Sequence, residues 1–171
     1  MCLISEHAHA LNNIVALETE IAQLKMQYEP NLPSGFPIYA MTWQALMDML
    51  ASHNIELMLK PQFVPDGEVF YTDRESWEKI VPYLTYPADD YVADTADCDD
   101  YARWAAADSS KLFKLNGCLE CWGHMPLGFH GFNMVITGED SFALHEPNAG
   151  FGLGELFEQD EEDYTAESWR L

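Results

Sequence analysis

The spacing of hydrophobic positions changes several times along the chain, and each change predicts an element. Over residues 6–28, "EHAHALNNIVALETEIAQLKMQY", Ile14, Leu17, Ile21, Leu24 and Tyr28 recur at intervals of three and four. That spacing lays an apolar seam along one helix. The seam packs on its own domain or meets a partner helix, which leaves a homo-oligomer open. "EPNLPSGFP" (29–37) is rich in breakers and marks a boundary. "TWQALMDMLASH" (42–53) predicts a second helix with Thr42 as its cap. "VPDG" (64–67) reads as a turn, and Thr72 or Asp73 caps a short helix through "RESWEKIVPYL". "TYPADDYVADTA" (85–96) is an acidic loop.

Farther on the period becomes two. "HGFNMVI" and "SFALHE" alternate like strands, and "TGED" between them carries turn residues. A hairpin centred on Gly138 sets Ile136 opposite Asp140, Met134 opposite Phe142, Phe132 opposite Leu144, and His130 opposite Glu146. Opposed residues have Cβ atoms about 4.5–5.5 Å apart. His130, Phe132, Met134, Ile136, Phe142, Leu144 and Glu146 then share one apolar, core-facing side. His130 alone fits a satisfied core histidine, but an ionisable pair at the end of such a face needs partners. His145 points the other way. The stretch after Leu156, "FEQDEEDYTAESWRL", reads as a solvated acidic tail. The expected organisation is a helical extension (1–30), one domain (31–156) and a tail (157–171), in an α+β class.

Composition narrows the partners. The 171 residues are 48% hydrophobic, enough for a folded core. A formal charge of −21, from 29 acidic and 8 basic residues, lacks the basic footprint of a nucleic-acid binder and disfavours anionic membranes. Cationic ligands, metal ions and basic peptides are compatible. No apolar run reaches about 18 residues, so no transmembrane helix is expected. "MCLISEHAHALNN" lacks the basic start of a signal peptide. Cys2, Cys98, Cys118 and Cys121 are not spaced as a secreted disulfide framework, so a reducing cytosol is the default.

The chemistry concentrates in "DTADCDDYARWAAADSS" (94–110). Asp97 is a good N-cap, Asp99 and Asp100 fall in the first turn, and Cys98 takes the first helical position. The helix dipole there favours a thiolate, whereas the neighbouring carboxylates oppose it. If this helix packs on the apolar hairpin face, Cys98 nears His130. Cys98 is then the nucleophile, His130 the base, and Glu146 the group that orients the imidazole. Asn133 and Asn148 are candidates to support an oxyanion or to bond the backbone. Asp89, Asp90, Asp94, Asp97, Asp99 and Asp100 offer the oxygens that hard cations take. In "CLECWGH", Cys118, Cys121 and His124 lack a fourth zinc ligand, and a strand would put the two cysteines on opposite faces. His124 is the substitute base.

At these residues the chain resembles the papain-like and transglutaminase-like cysteine hydrolases. "DCDDYA", "HGFN" and "HEPN" are most similar to the cysteine protease domain of certain fungal agglutinins and related phage proteins. The resemblance spans roughly residues 85–150. It implies a papain-like core with the cysteine helix on an antiparallel sheet, and a Cys98–His130–Glu146 triad. It further implies calcium support, for which Asp94, Asp97, Asp99 and Asp100 are candidate ligands by their own chemistry. The expected activity is that of a cysteine peptidase, or a related thiol-dependent amide hydrolase or acyl transferase, acting on peptide or protein in the cytoplasm or a phage particle. The alternative is a non-catalytic structural or interaction protein that keeps the fold.

Overall fold

Thr42 closes one strand and opens a helix. The computed structural model describes residues 32–58, 67–151 and 155–170, with the backbone alone for Glu162. Strand β1 (Tyr39–Thr42) runs straight into helix α1 (Trp43–Ser52), where the Thr42 hydroxyl accepts the Ala45 N–H at 3.2 Å. Trp43, Leu46, Met49 and Leu50 form the buried stripe of α1. After β2 (Glu56–Leu57), β3 (Glu68–Tyr71) pairs antiparallel with β1. Asp73 caps α2 (Arg74–Ile80) by accepting the Ser76 N–H at 2.8 Å. Helix α3 (Cys98–Asp108) continues into a π-helical turn, Ser109–Phe113. Strands β4 (Cys118–Met125), β5 (Gly128–Gly138), β6 (Ser141–His145), β7 (Leu156–Phe157) and β8 (Thr165–Arg170) follow. The class is α+β.

The chain divides into units Met1–Leu32 and Pro33–Leu171, which places the boundary inside the breaker-rich stretch. The predicted helix over 6–28 and its partner seam lie outside the described residues. The expected acidic tail over 157–171 is corrected. The six-stranded sheet has the order β2-β8-β4-β5-β6-β7, so β8 is an interior strand. Tyr164, Ala166 and Trp169 are buried, while Glu167 faces outward. A bulge between Trp122 and Gly123 shifts the β4–β8 register and interrupts the simple alternation. Gly123 is required there, because a Cβ would lie 1.8 Å from the Thr165 carbonyl oxygen. Charge on the wet positions hid a strand whose other positions belong to the core.

The β5–β6 hairpin is shifted two residues from the expected pairing. Ile136 faces Phe142 and Met134 faces Leu144, with an irregularity between Ile136 and Gly138. A two-residue slip keeps every side chain on its face, whereas a one-residue slip would have turned them all over. Phe132, Met134, Ile136, Phe142 and Leu144 do face a core, which they share with Leu46, Met49 and Leu50 of α1. Helix α3, expected on that face, lies on the opposite one. There the Asn133 amide donates to the Ala102 carbonyl at 2.8 Å, and Gly131 lies against the Asp99 backbone. The reason is room. Gly131 and Asn133 leave space for a close helix, and the Phe132 face does not. Among the described residues no helix is long and apolar enough to cross a membrane.

Candidate functional site

Helix α3 begins over a glycine of β5, Gly131. A Cβ on Gly131 would lie 3.3 Å from the Asp99 N and Cα and from Trp122 Nε1. Glycine therefore lets the first turn sit close to the strand. Cys98, half-buried at the first helical position, bonds to the His130 ring and to the Gly131 backbone. His130 pulls the thiol below its ordinary pKa, against the opposing effect of burial, and the Gly131 contact adds to the pull. The helix dipole acts in the same sense.

His130 and Glu146 meet despite the shifted register. Carried one step beyond Asn133–His145, the ladder sets Glu146 beside Phe132, so His130 reaches it diagonally. His130 Nε2 lies 2.8 Å from Glu146 Oε2, which leaves Nδ1 as the nitrogen for the thiol. Both residues are buried. Burial opposes charge on the imidazole, but the Cys98 and Glu146 partners outweigh it and hold the pKa up at about 9. At neutral pH the imidazole is thus charged, and that charge favours the thiolate form of Cys98.

Glu146 is anchored on three sides. Its Oε1 accepts the Asn148 N–H at 2.9 Å, and its Oε2 also accepts the Tyr164 hydroxyl at 3.2 Å. Tyr164 stands edge-on to His130 and Phe132. Sequence reasoning missed Tyr164 because it sits in the stretch read as a tail. Only the apolar spacing of Tyr164, Ala166 and Trp169 within that acidic run signalled it. Phe151 also flanks the His130 ring, at 5.1 Å between centroids.

The aspartates divide into two groups. Asp97 and Asp99 meet side chain to side chain, which raises the Asp97 pKa and lowers that of Asp99. Their carboxylates and the Cys98 sulfur lie within 4.8 Å of one another. Asp94 joins through its N–H, which donates to Asp97 at 3.2 Å. Asp100 instead turns to Arg103 at 2.6 Å, and Arg103 also holds Asp99 at 3.0 Å. This guanidinium places a positive charge at the aspartate-rich helix start. The donor set fits a hard cation in part, with Asp97 and Asp99 as the two carboxylates that face each other.

The remaining candidates have structural roles. Asn133 donates its amide to the Ala102 and Leu119 carbonyls, so it fastens α3 to the sheet and is not free for an oxyanion. Asn148 supports Glu146 through its backbone, while its side chain accepts the Gly150 N–H. His124 is exposed and paired with Glu167 at 2.6 Å. Cys118 and Cys121 are buried in β4, and burial pushes both thiols up.

No protein-family model and no curated protein matches the chain. A solved structure called "PSL1a-E64 complex" is similar at 20% identity and a TM-score of 0.52, over 76% of this chain and 50% of that one. A structure of Polyporus squamosus lectin bound to a human-type influenza-binding epitope matches at 15% identity and a TM-score of 0.47, over 74% and 48%. The chain thus spans about half the length of the structures it matches. The first likeness shows a shared fold. These findings correct the expected family. The structure that shares the fold carries the name PSL1a, not that of a papain-like or transglutaminase-like hydrolase. The papain-like core, the cysteine peptidase activity and the phage setting are accordingly set aside.

Proposed function

We propose that the chain is a non-catalytic interaction protein whose ligand-facing element is the activated thiol of Cys98. The observation that carries this reading is the chain of contacts from Cys98 to His130 to Glu146, joined by a 2.8 Å bond at its inner end. A thiolate held this way is a nucleophile toward electrophilic ligands. Turnover at an acyl centre asks for more, because an anionic intermediate needs donors aimed at it. The nearby candidate amide, Asn133, is already engaged, and the Asp97 carboxylate beside the sulfur repels a second anion. The arrangement therefore favours stoichiometric capture over repeated hydrolysis. A hard divalent cation such as calcium is proposed for Asp97 and Asp99, where it would supply positive charge between two facing carboxylates.

The test uses E64, an epoxide that opens on attack by a thiolate. The Cys98 sulfur forms a bond to an epoxide carbon, the carbon–oxygen bond breaks, and the His130 imidazolium protonates the released oxygen. One adduct per chain is expected, mapped to Cys98, absent in Cys98→Ala and slowed in His130→Gln. Failure to label Cys98 sinks the proposed site. Repeated turnover of a peptide or ester substrate, lost in Cys98→Ala, sinks the non-catalytic reading.

A further inference from the structure

The thiol opens onto a mouth with apolar walls on two sides and negative charge on one. Phe129 shares the α3-facing side of β5 with Gly131 and lies one pleat beyond the helix start, about 7 Å along the strand. It is 59% exposed, and Leu127 at the tip of the β4–β5 hairpin is 82% exposed. On the other side Tyr91 and Val92 are 45% and 54% exposed, and Tyr91 feels the charges of Cys98, Asp97 and Asp94. Asp89 and Asp90 stand behind it, against Tyr101.

Among the described residues, the basic side chains do not balance this rim. Arg103 is engaged by Asp99 and Asp100, and Arg170 by Glu120. Arg74 and Lys79 pair on α2. Lys111 and Lys114 lie beyond the far end of α3. A ligand reaching Cys98 therefore passes exposed aromatic and aliphatic surface under a negative potential.

We infer that the Cys98 mouth selects cationic ligands that carry an apolar group, of the kind presented by a basic peptide segment. The inference rests on the proposed thiol site and adds the class of ligand to it. The charge acts at a distance, raising the local concentration of cations, and it fades as salt shortens the Debye length. The apolar walls act on contact, through the area that Phe129 and Tyr91 cover. Arginine or lysine flanked by a large apolar residue meets both conditions. An acidic or purely polar ligand meets neither.

Methanethiosulfonates of opposite charge test this at constant pH, in chelator-treated buffer. The Cys98 thiolate attacks the sulfenyl sulfur, a mixed disulfide forms, and methanesulfinate leaves. The trimethylammonioethyl and sulfonatoethyl reagents are each scaled to their rate with 2-mercaptoethanol, and labelling is read at Cys98 by peptide mass mapping. The scaled cation-to-anion ratio should reach about tenfold at low ionic strength and fall toward one in high salt. Asp94→Asn together with Asp90→Asn should lower it about threefold; asparagine keeps the left-handed backbone that Asp94 adopts. Phe129→Ser should slow a benzyl reagent relative to a methyl one about threefold, in line with the worth of an aromatic contact. A ratio near one at low salt, or benzyl labelling indifferent to Phe129, overturns the inference and leaves the thiol site standing. Absence of labelling at Cys98 by every reagent overturns both.

Discussion

The buried thiols and imidazoles among the described residues have two kinds of surroundings, and they differ in charge. At the open end of β5, Cys98 meets His130, and Glu146 backs the ring at 2.8 Å. In the middle of the sheet, Cys118 and Cys121 of β4 and His145 of β6, with β5 between the two strands, are buried. Burial lowers the pKa of both histidines. His145 has only the Leu84 carbonyl, at 3.2 Å, and drops to about 4. His130 has a carboxylate and a thiol and rises to about 9. Partners, not depth, decide the charge of a buried imidazole. The thiols follow the same rule. Burial pushes Cys118 and Cys121 up with no cationic partner among the described residues to offset it, whereas Cys98 is pulled down.

Removing the carboxylate should break the contrast most severely. Glu146→Ala leaves an imidazolium buried without its anion and strands the Tyr164 hydroxyl and the Asn148 N–H. A loss of about 3–5 kcal/mol is expected from urea unfolding, as for other halved buried pairs. His145→Gln, which removes a neutral ring and can still donate to Leu84, should cost about 1–2 kcal/mol. Equal losses from the two variants would mean that His130 is not charged in the folded protein.

Most local signals that survive burial were legible in the chain. Thr42, Asp73 and the helix start at Cys98 stand where their capping chemistry puts them. The shared face of His130 and Glu146 was legible because face depends only on parity. Register was not, since the irregularity after Ile136 leaves no mark in the alternation. The face taken by α3 was also misread. Apolar residues on one side of β5 advertise a core, but the close helix sought the side with Gly131 and Asn133. β8 was masked by its charges, although Trp169 and Tyr164 are as buried as any residue of the hairpin.

The pH dependence of stability separates the two histidines by sign. His130 is raised from 6.5 to about 9, so its contribution is full below 6.5 and is lost as pH rises through about 9. His145 is lowered from 6.5 to about 4, so its contribution is full above 6.5 and is lost as pH falls toward 4. Melting curves of His130→Gln should therefore lack the alkaline slope of the parent protein. Those of His145→Gln should have a shallower acid slope. The carboxylates also titrate on the acid side, so each variant is compared with the parent and not read alone. Matching changes in both variants on the same limb would dissolve the distinction between the two settings.

The smallest expected effect tests whether the open end is completed by a cation. Asp97 and Asp99 face each other, and the contact raises the Asp97 pKa and lowers that of Asp99. Arg103 reaches Asp99, and among the described residues no cation pairs with Asp97. Calcium accepts irregular sets of oxygen ligands, whereas magnesium demands a tight octahedral shell. Calcium at about ten times its dissociation constant should add about 1.4 kcal/mol, or roughly 3–6 °C in melting temperature. It should also speed Cys98 alkylation at constant neutral pH, because positive charge beside the sulfur favours the thiolate. Dropping the pH does not mimic this, since protons on the aspartates come with protons on the thiolate. Asp97→Asn should abolish the calcium shift while sparing the pairing of Asp99 with Arg103. Buried Cys118 and Cys121 should respond to neither metal. If magnesium matches calcium, or if Asp97→Asn leaves the shift intact, the two carboxylates share only a proton and the open end relies on His130, Arg103 and the helix dipole.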